Sequence, residues 1–159
     1  MFSSRSLSHL AVALGFVALS PVAMATDSII KVAKTPTCGC CSAWIEHLEA
    51  NGFEVTAHDV SHRQLNAIKV DLDITPAQAS CHTAMVDGYF IEGHVHAREI
   101  RSLLASQPEA NGLTVPGMPV GSPGMEMGEH QDEYSTLLVE DDGSTRTYRQ
   151  HAAPPERSE

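Results

Sequence analysis

Three of the four cysteines in the chain lie within four consecutive positions, in the segment Thr37-Cys38-Gly39-Cys40-Cys41. The segment follows a short apolar run over 29–33 and precedes a helical pattern over 42–50. A purely structural disulfide framework usually spreads its cysteines along the chain, because closing long loops gives the most stabilisation. The crowding of thiols at a strand-to-helix turn therefore favours chemistry at this turn.

The cysteine turn has two chemical interpretations. Amides and the dipole at a helix N-terminus stabilise a thiolate, lowering the cysteine pKa from about 8.5 to roughly 3.5–7.5. Cys38 and Cys41 have the C-x-x-C spacing of a redox pair, but Cys40 adds a third thiol that competes for exchange. Three thiolates also suit a soft metal such as Cu(I), zinc or an iron–sulfur cluster. The alternative is a structural Cys38–Cys41 disulfide with Cys40 buried and inert.

The first 25 residues have the pattern of a secretory signal peptide. Arg5 precedes an apolar stretch over 10–19, and Ala23-Met24-Ala25 is a small-residue cleavage signature. We expect cleavage after Ala25 and export to the periplasm, an oxidising compartment that permits disulfides. We expect no stable membrane insertion of the remaining chain.

The rest of the chain is long enough for one domain, which we predict over 26–150, followed by a flexible tail over 151–159. The chain has a formal net charge of −10. An acidic surface repels phosphate backbones and attracts cations without selecting among them. Charge therefore argues against nucleic acid as a partner.

Periodicity and turn signals predict the order strand, helix, strand, helix, hairpin, helix. An S-x-x-Q capping box from Ser61 to Gln64 opens the second helix. Asp87-Gly88 is a two-residue hairpin turn between strands over 83–86 and 89–92, and the third helix covers about 96–106. This βαβαββα order is that of a thioredoxin-like fold, which carries its C-x-x-C after the first strand. We expect an α/β, thioredoxin-like domain.

Two further sites carry soft or borderline metal ligands. The thioredoxin-like fold usually has a cis-proline just before its hairpin, and Cys81-His82 occupies that place, opposite the cysteine turn. His94 and His96 share one side of an extended segment, and imidazole suits copper and zinc. The alternatives are a half-buried Cys81-His82 strand pair and two solvated histidines. The other histidines singled out are expected on the surface: His47, His58, His62 and His151.

Residues 111–130 contain five glycines and three prolines without periodicity, which predicts a long loop. Met118, Met125 and Met127 lie in it, and a thioether suits Cu(I) because it needs no deprotonation. The alternative is that these residues pack onto the domain surface. Beyond the loop, Asp142-Gly143 predicts a second hairpin that extends the sheet. The sequence lacks the G-x-S-x-G, phosphate-loop and H-E-x-x-H motifs of several enzyme classes.

At these motifs the chain resembles the small exported metal-binding proteins related to the CopG-type copper-resistance proteins. The resemblance runs from residue 34 to residue 126. The matching motifs are Lys34-Thr35-Pro36-Thr37-Cys38-Gly39-Cys40-Cys41 with Trp44 and His47-Leu48, Ser80-Cys81-His82-Thr83-Ala84, Asp87-Gly88-Tyr89, Ile91-Glu92-Gly93-His94-Val95, Gly117-Met118-Pro119 and Gly121-Ser122-Pro123-Gly124-Met125-Glu126. One position departs: the family usually has His-Val-Pro where this chain has His94-Val95-His96.

The resemblance implies a thioredoxin-like fold, copper binding and a role in copper resistance. For some members it also implies copper-cluster formation and Cu(I)/Cu(II) redox chemistry. The metal ligands that the resemblance implies are Cys38, Cys41, Cys81 and His94. The residues that it implies near the metal are Cys40, His82, Met118 and Met125.

From the residues and the resemblance together, we predict a periplasmic copper-binding protein that holds more than one Cu(I). A copper efflux protein or a redox protein would be its partner. One alternative is a thiol–disulfide oxidoreductase that uses Cys38 and Cys41. Another is a zinc site that only stabilises the fold, which would leave the methionines of the loop without a role.

Overall fold

The computed structural model describes residues 28–153, and the predicted signal peptide over 1–25 lies outside them. The described chain is a mixed α/β fold with three helices and a seven-stranded sheet. The first seven elements follow the predicted order. The elements are β1 Ile30–Lys34, α1 Gly39–Ala50, β2 Val55–Asp59, α2 His62–Asp71, β3 Thr83–Val86, β4 Tyr89–Glu92, α3 Ala97–Ser106, β5 Gly112–Thr114, β6 Tyr134–Val139 and β7 Thr145–His151.

The seven strands are ordered β2-β1-β3-β4-β5-β6-β7 across one sheet. The β1–β2 and β4–β5 pairs are parallel, and the other four pairs are antiparallel. The main core contains apolar residues of α1, α3 and the central strands, including the fully buried Trp44, Ile100 and Leu113. This core fixes α1 against the sheet, and with it the cysteine turn.

The cysteine turn lies where β1 ends and α1 begins. Cys38 is the N-cap residue, with an extended backbone at φ −80° and ψ 91° and no side-chain cap hydrogen bond. Cys41, Trp44 and Leu48 are the buried residues of α1, so the helical spacing seen in the sequence is the packed face. The helix begins at Gly39, three residues before the predicted pattern.

The β3–β4 hairpin brings the second group of ligands into place. Asp87 and Gly88 both have positive φ, 46° and 89°, as a type I′ turn requires. The predicted strand bounds are confirmed on both sides of the turn. Just beyond the paired strands, the Gly93 amide donates to the His82 carbonyl at 3.2 Å. The segment that carries His94 therefore lies beside the segment that carries Cys81.

Part of the predicted loop over 111–130 is a strand. Gly112–Thr114 forms β5, which lies between β4 and β6, and Leu113 is fully buried. A Cβ at Gly112 would lie 2.0 Å from the Phe90 carbonyl oxygen, so only glycine permits this strand approach. The sequence did not predict β5 because a strand of three residues, one of them glycine, is too short to show an alternating pattern. The predicted second hairpin, β6–β7, does extend the sheet, and it joins through β5.

The expectation that His151 lies on the surface is wrong. His151 is the last residue of β7 and is only 6% exposed. Its partner across the antiparallel pair is Tyr134, at the start of β6. Strand β7 therefore places His151 against Glu99 of α3. The polar sequence of β7 did not indicate this burial. Within residues 28–153, no helix is both long and apolar enough to cross a membrane.

Candidate metal centre

The structure brings all four cysteines together. Cys38 and Cys41 form a disulfide, and Cys40 Sγ lies 3.5 Å from Cys38 Sγ. Cys81 Sγ, from the segment before β3, lies 3.5 Å from Cys41 Sγ. The four sulfurs all lie within 4.8 Å of one another. A metal about 2.3 Å from each sulfur holds ligands at about this separation, so the predicted meeting of Cys81 with the cysteine turn is confirmed.

Cys81 is also the centre of a sulfur–imidazole group. Its Sγ lies 3.1 Å from His94 Nε2 and 3.3 Å from His82 Nδ1. The Pro123 carbonyl oxygen lies 2.8 Å from His94 Nδ1 and can only accept a hydrogen bond, so Nδ1 carries the proton and donates it. His94 Nε2 is then the unprotonated nitrogen, with its lone pair toward the sulfur. Metal-binding histidines typically have this second hydrogen bond to a carbonyl or carboxylate.

His82 is fully buried and has one ring nitrogen without a partner. Its Nε2 makes no hydrogen bond, although a buried polar atom normally has one. The His82 ring lies 4.3 Å from the Trp44 ring, and Trp44 Nε1 donates to the Val95 carbonyl at 2.8 Å. Trp44 is a fully buried core residue, and its ring also packs against His82.

The site is arranged to hold neutral imidazoles and a protonated Cys81. Burial, and then the neighbouring Cys40, raise the pKa of Cys81 to about 12. Burial is also the largest cause lowering the pKa of His82 well below its usual value, followed by the charge effects of His94 and Lys69. Burial lowers the pKa of His94 as well. A metal that binds Cys81 must therefore displace a proton from its thiol.

A buried ion pair holds the segment that carries Cys81 through hydrogen bonds to its neighbours. Lys69 of α2 pairs with Glu92 of β4, and both are nearly or fully buried. Thr83 donates to Glu92 Oε2 at 2.7 Å, and the Ser80 amide also donates to Glu92. Sequence reasoning missed this network. Its one signal is a lysine in the last turn of a short helix, which does not specify burial.

Known proteins with the same features identify the family. The family described as a protein of unknown function, DUF411, matches residues 78–125. A solved structure of copper resistance protein CopG, form 2, is 42% identical with a TM-score of 0.75, over 79% of this chain and 98% of that chain. Form 1 is 44% identical with a TM-score of 0.73, over 77% and 96%. The chain belongs to the CopG family of copper resistance proteins. No curated protein matches it.

In this CopG family member, the glycine- and proline-rich loop reaches the metal centre through its backbone. A Cβ at Gly124 would lie 2.6 Å from the Trp44 nitrogen and 2.8 Å from the Cys40 carbonyl oxygen, so this residue packs directly on α1. The preceding residue, Pro123, orients His94. The loop thus closes one side of the centre.

The methionines are less closely tied to the centre than the loop backbone. Met125 is partly buried and directly follows Gly124. Met118 is 52% exposed, although Gly117 beside it pairs with Ser80, the neighbour of Cys81. Met127 is 65% exposed. Met118 and Met125 thus flank backbone that touches the site, and their role as ligands stays a prediction.

A second polar cluster lies at the N-terminal end of α3, away from the cysteines along the chain. It contains His96, Glu99 and His151, each with a ligand atom within 4.8 Å of the others. Burial is the main cause that lowers the pKa of His96, to about 3, with smaller effects of Arg98, His151 and His47. The only sequence signal was the His-x-x-Glu spacing at a helix start. Elsewhere, His58 and His62 are exposed as predicted, and His47 is partly buried and accepts from the Ala97 amide at 3.1 Å.

Proposed function

We propose that this CopG family member is a copper-binding protein of copper resistance and homeostasis that holds Cu(I) through its cysteines and histidines. The observation that carries the proposal is the position of Cys81. Its sulfur lies beside Cys41 Sγ on one side and His94 Nε2 on the other, so one atom belongs to both a thiol group and an imidazole group.

The donor atoms fit Cu(I) better than other common metals. Thiolates and thioethers are soft ligands that select Cu(I), and imidazole binds copper as well. His82 Nδ1 and the pre-oriented His94 Nε2 both lie beside Cys81 Sγ and are suited to accept a metal ion. Zinc would be satisfied by four of these ligands, which leaves the remainder and the methionine-rich loop unused. We assign Cys38, Cys40, Cys41, Cys81, His82 and His94 as the ligands, with Met118 and Met125 as outer candidates.

More than one Cu(I) is expected because Cys81 is shared. The group Cys38, Cys40, Cys41 and Cys81 and the group Cys81, His82 and His94 each have enough donors for one ion. A thiolate sulfur has several lone pairs and can bridge two metal ions. Cys81 would then connect a sulfur-rich ion with an imidazole-bound ion.

Copper loading requires reduction of the Cys38–Cys41 disulfide. An external dithiol would supply two electrons and two protons, breaking the S–S bond and giving two thiols while the dithiol becomes a disulfide. Cu(I) then replaces the thiol protons. The same bond supports a second candidate function, a thiol–disulfide oxidoreductase at a C-x-x-C on a helix N-terminus. In that function Cys81 and His94 would be dispensable.

The sequence and the family support a proposal for where the protein acts. We propose export to the periplasm, with removal of residues 1–25, and a single thioredoxin-like domain that ends with β7. In the periplasm the protein would contribute to copper resistance by binding Cu(I) and passing it to an efflux partner. Conversion between Cu(I) and Cu(II) would instead need a redox partner to exchange one electron per ion.

The test is an anaerobic titration of the reduced protein with Cu(I) against a competing chelator. We expect at least one tightly bound Cu(I) per chain. Cys81→Ser and His94→Ala should each weaken it by at least about tenfold, or about 1.4 kcal/mol. His58→Ala is the matched control because His58 is exposed on β2.

Weak Cu(I) binding that neither Cys81→Ser nor His94→Ala changes would contradict the copper assignment. If such weak binding were accompanied by rapid disulfide exchange at Cys38–Cys41 in the parent protein and in both variants, the oxidoreductase function would be established instead.

A further inference from the structure

The cluster at the start of α3 has the composition of a metal site without any sulfur. His96 is the N-cap residue of α3, Glu99 lies in its first turn, and His151 ends β7. Glu99 is 1% exposed and His151 is 6% exposed, while His96 is partly exposed and opens the cluster to solvent. Two elements distant in sequence, α3 and β7, therefore bring two imidazoles and a carboxylate together.

Glu99 lacks the hydrogen bonds that a buried carboxylate normally needs. Its Oε1 has no hydrogen-bond partner, although the side chain is almost completely buried. The nearest cation is the exposed Arg98, whose Nε lies 3.7 Å away. A buried charge without compensation is costly, so this oxygen indicates a missing positive partner.

His151 Nε2 faces both Thr136 and Glu99, and a neutral ring carries at most one proton at that nitrogen. Thr136 Oγ1 donates to Glu99 Oε2 at 2.7 Å, so its oxygen can accept from His151 Nε2 at 3.1 Å. The same Nε2 lies 3.2 Å from Glu99 Oε1. One N–H that points to Thr136 leaves Oε1 without a donor. A cation bound by both Nε2 and Oε1 would resolve the conflict.

We propose that His96, Glu99 and His151 form a second metal site, for a divalent first-row ion, separate from the thiol-rich centre. Two imidazoles and one carboxylate are a borderline-to-hard donor set that suits Zn²⁺ and Cu²⁺ and does not favour Cu(I). Bonds of about 2.0–2.1 Å hold tetrahedral ligand atoms about 3.4 Å apart, close to the separation of His151 Nε2 and Glu99 Oε1. Among divalent ions, Cu²⁺ should bind most tightly.

Neighbouring residues are placed as the outer partners of such a site. Thr136 holds Glu99 through the oxygen that does not face His151. The Tyr134 hydroxyl lies 2.9 Å from His96 Nε2, and its ring stacks on His151 at 4.3 Å between centroids. Contacts of this kind fix ligand orientation, and their loss typically costs 10–100-fold in affinity. The competing explanation is a metal-free network in which Arg98 and a protonated His151 offset Glu99.

The test uses a protein without free thiols. Cys40→Ser and Cys81→Ser remove the two free cysteines, and Cys38 and Cys41 stay oxidised as the disulfide seen here. Cu²⁺ and Zn²⁺ can then be titrated in separate experiments without thiol oxidation or thiolate binding. Electron paramagnetic resonance of the Cu²⁺ form reports whether nitrogen ligands are present.

We expect one Cu²⁺ per chain with nitrogen ligands, and weaker Zn²⁺ binding at the same site. Glu99→Gln and His151→Gln should each weaken both ions at least about tenfold, and Thr136→Val about tenfold. His96→Pro is a further variant that should fold, because His96 has a φ of −65° that suits proline. His62→Ala is the control, since His62 is an exposed histidine on α2.

Thermal unfolding with and without metal separates a binding site from a structural network. Bound metal should raise the melting temperature of the thiol-free protein and not that of its Glu99→Gln or His96→Pro forms. Absence of stoichiometric binding would overturn the proposal. So would binding that persists in these variants, because it would then belong to His82 and His94 or to surface histidines.

Discussion

At the scale of single residues, Lys69 determines how well Cys81 is held. Its ammonium group reaches from α2 to Glu92 and also donates to Thr83 at 2.9 Å. Glu92 in turn accepts from the Ser80 amide, next to Cys81. A buried ion pair of this kind adds little net stability compared with apolar residues, but it is costly to break on one side.

We predict that Lys69→Met lowers the free energy of unfolding by about 3–5 kcal/mol, because Glu92 is left as an unpaired buried charge. Lys31→Met, an exposed lysine on β1, should change it by less than about 0.5 kcal/mol. Urea unfolding of both variants measures the difference. Equal effects of the two substitutions would show that the Lys69–Glu92 pair does not stabilise the fold.

The sequence predicted the donor atoms of the site better than the residues that orient them. The cysteine turn, Cys81 and His94 were identified because sulfur and imidazole at turn positions have few structural explanations. Pro123 was not, because its contribution is a backbone carbonyl that orients His94, and any residue type has one. Glu92 was not, because a glutamate in a short strand normally faces solvent.

At the scale of elements, the metal centre depends on the contact between α1 and the glycine-rich loop. Gly124 has a φ of 82° and lies against the backbone of Cys40 and Trp44. Gly128, in the same loop, has a φ of 69° but nothing within 4 Å of an added Cβ. The two glycines thus share a left-handed conformation and differ in packing.

We predict that Gly124→Ala destabilises the protein more than Gly128→Ala does. Both bear about 1–2 kcal/mol of left-handed strain, and only Gly124→Ala adds about 1–3 kcal/mol of overpacking. Gly124→Ala should also weaken Cu(I) binding, because Pro123 next to it would no longer hold His94. Denaturant unfolding and chelator competition check the two parts. Indistinguishable variants would mean that the loop does not support the centre.

The elements with strong local signals were predicted closely, and the weak ones were missed. The hairpin around Asp87-Gly88 and the Ser61–Gln64 capping box both occur as expected, because each is encoded by adjacent residues. The strand β5 was missed because its place between β4 and β6 is decided by tertiary contacts. His151 was misplaced for the same reason: its burial depends on α3, which lies far away in sequence.

At the scale of the whole molecule, the Cys38–Cys41 disulfide controls how many sulfur ligands are available to copper. Cys38 and Cys41 supply two of the four sulfurs of the thiol group, and their bond removes both thiolates. Cys40, Cys81 and the two imidazoles remain in the oxidised protein. The oxidised chain is therefore an incomplete copper site.

We predict that the oxidised protein binds fewer Cu(I) ions, and at least about tenfold more weakly, than the reduced protein. The reason is the loss of two soft thiolate ligands. Anaerobic chelator competition on both forms measures the difference, with Cys38→Ser/Cys41→Ser as the control that lacks both thiols in either state. Equal binding by the oxidised and reduced forms would exclude Cys38 and Cys41 as ligands.

X-ray absorption at the copper edge of the reduced, Cu(I)-loaded protein tests the central claim most directly. We predict a coordination shell dominated by sulfur at about 2.3 Å, with a minor nitrogen contribution. That nitrogen contribution should fall in His94→Ala, and the sulfur count should fall in Cys81→Ser. A shell of nitrogen and oxygen alone, unchanged in Cys81→Ser, would contradict a thiolate copper centre.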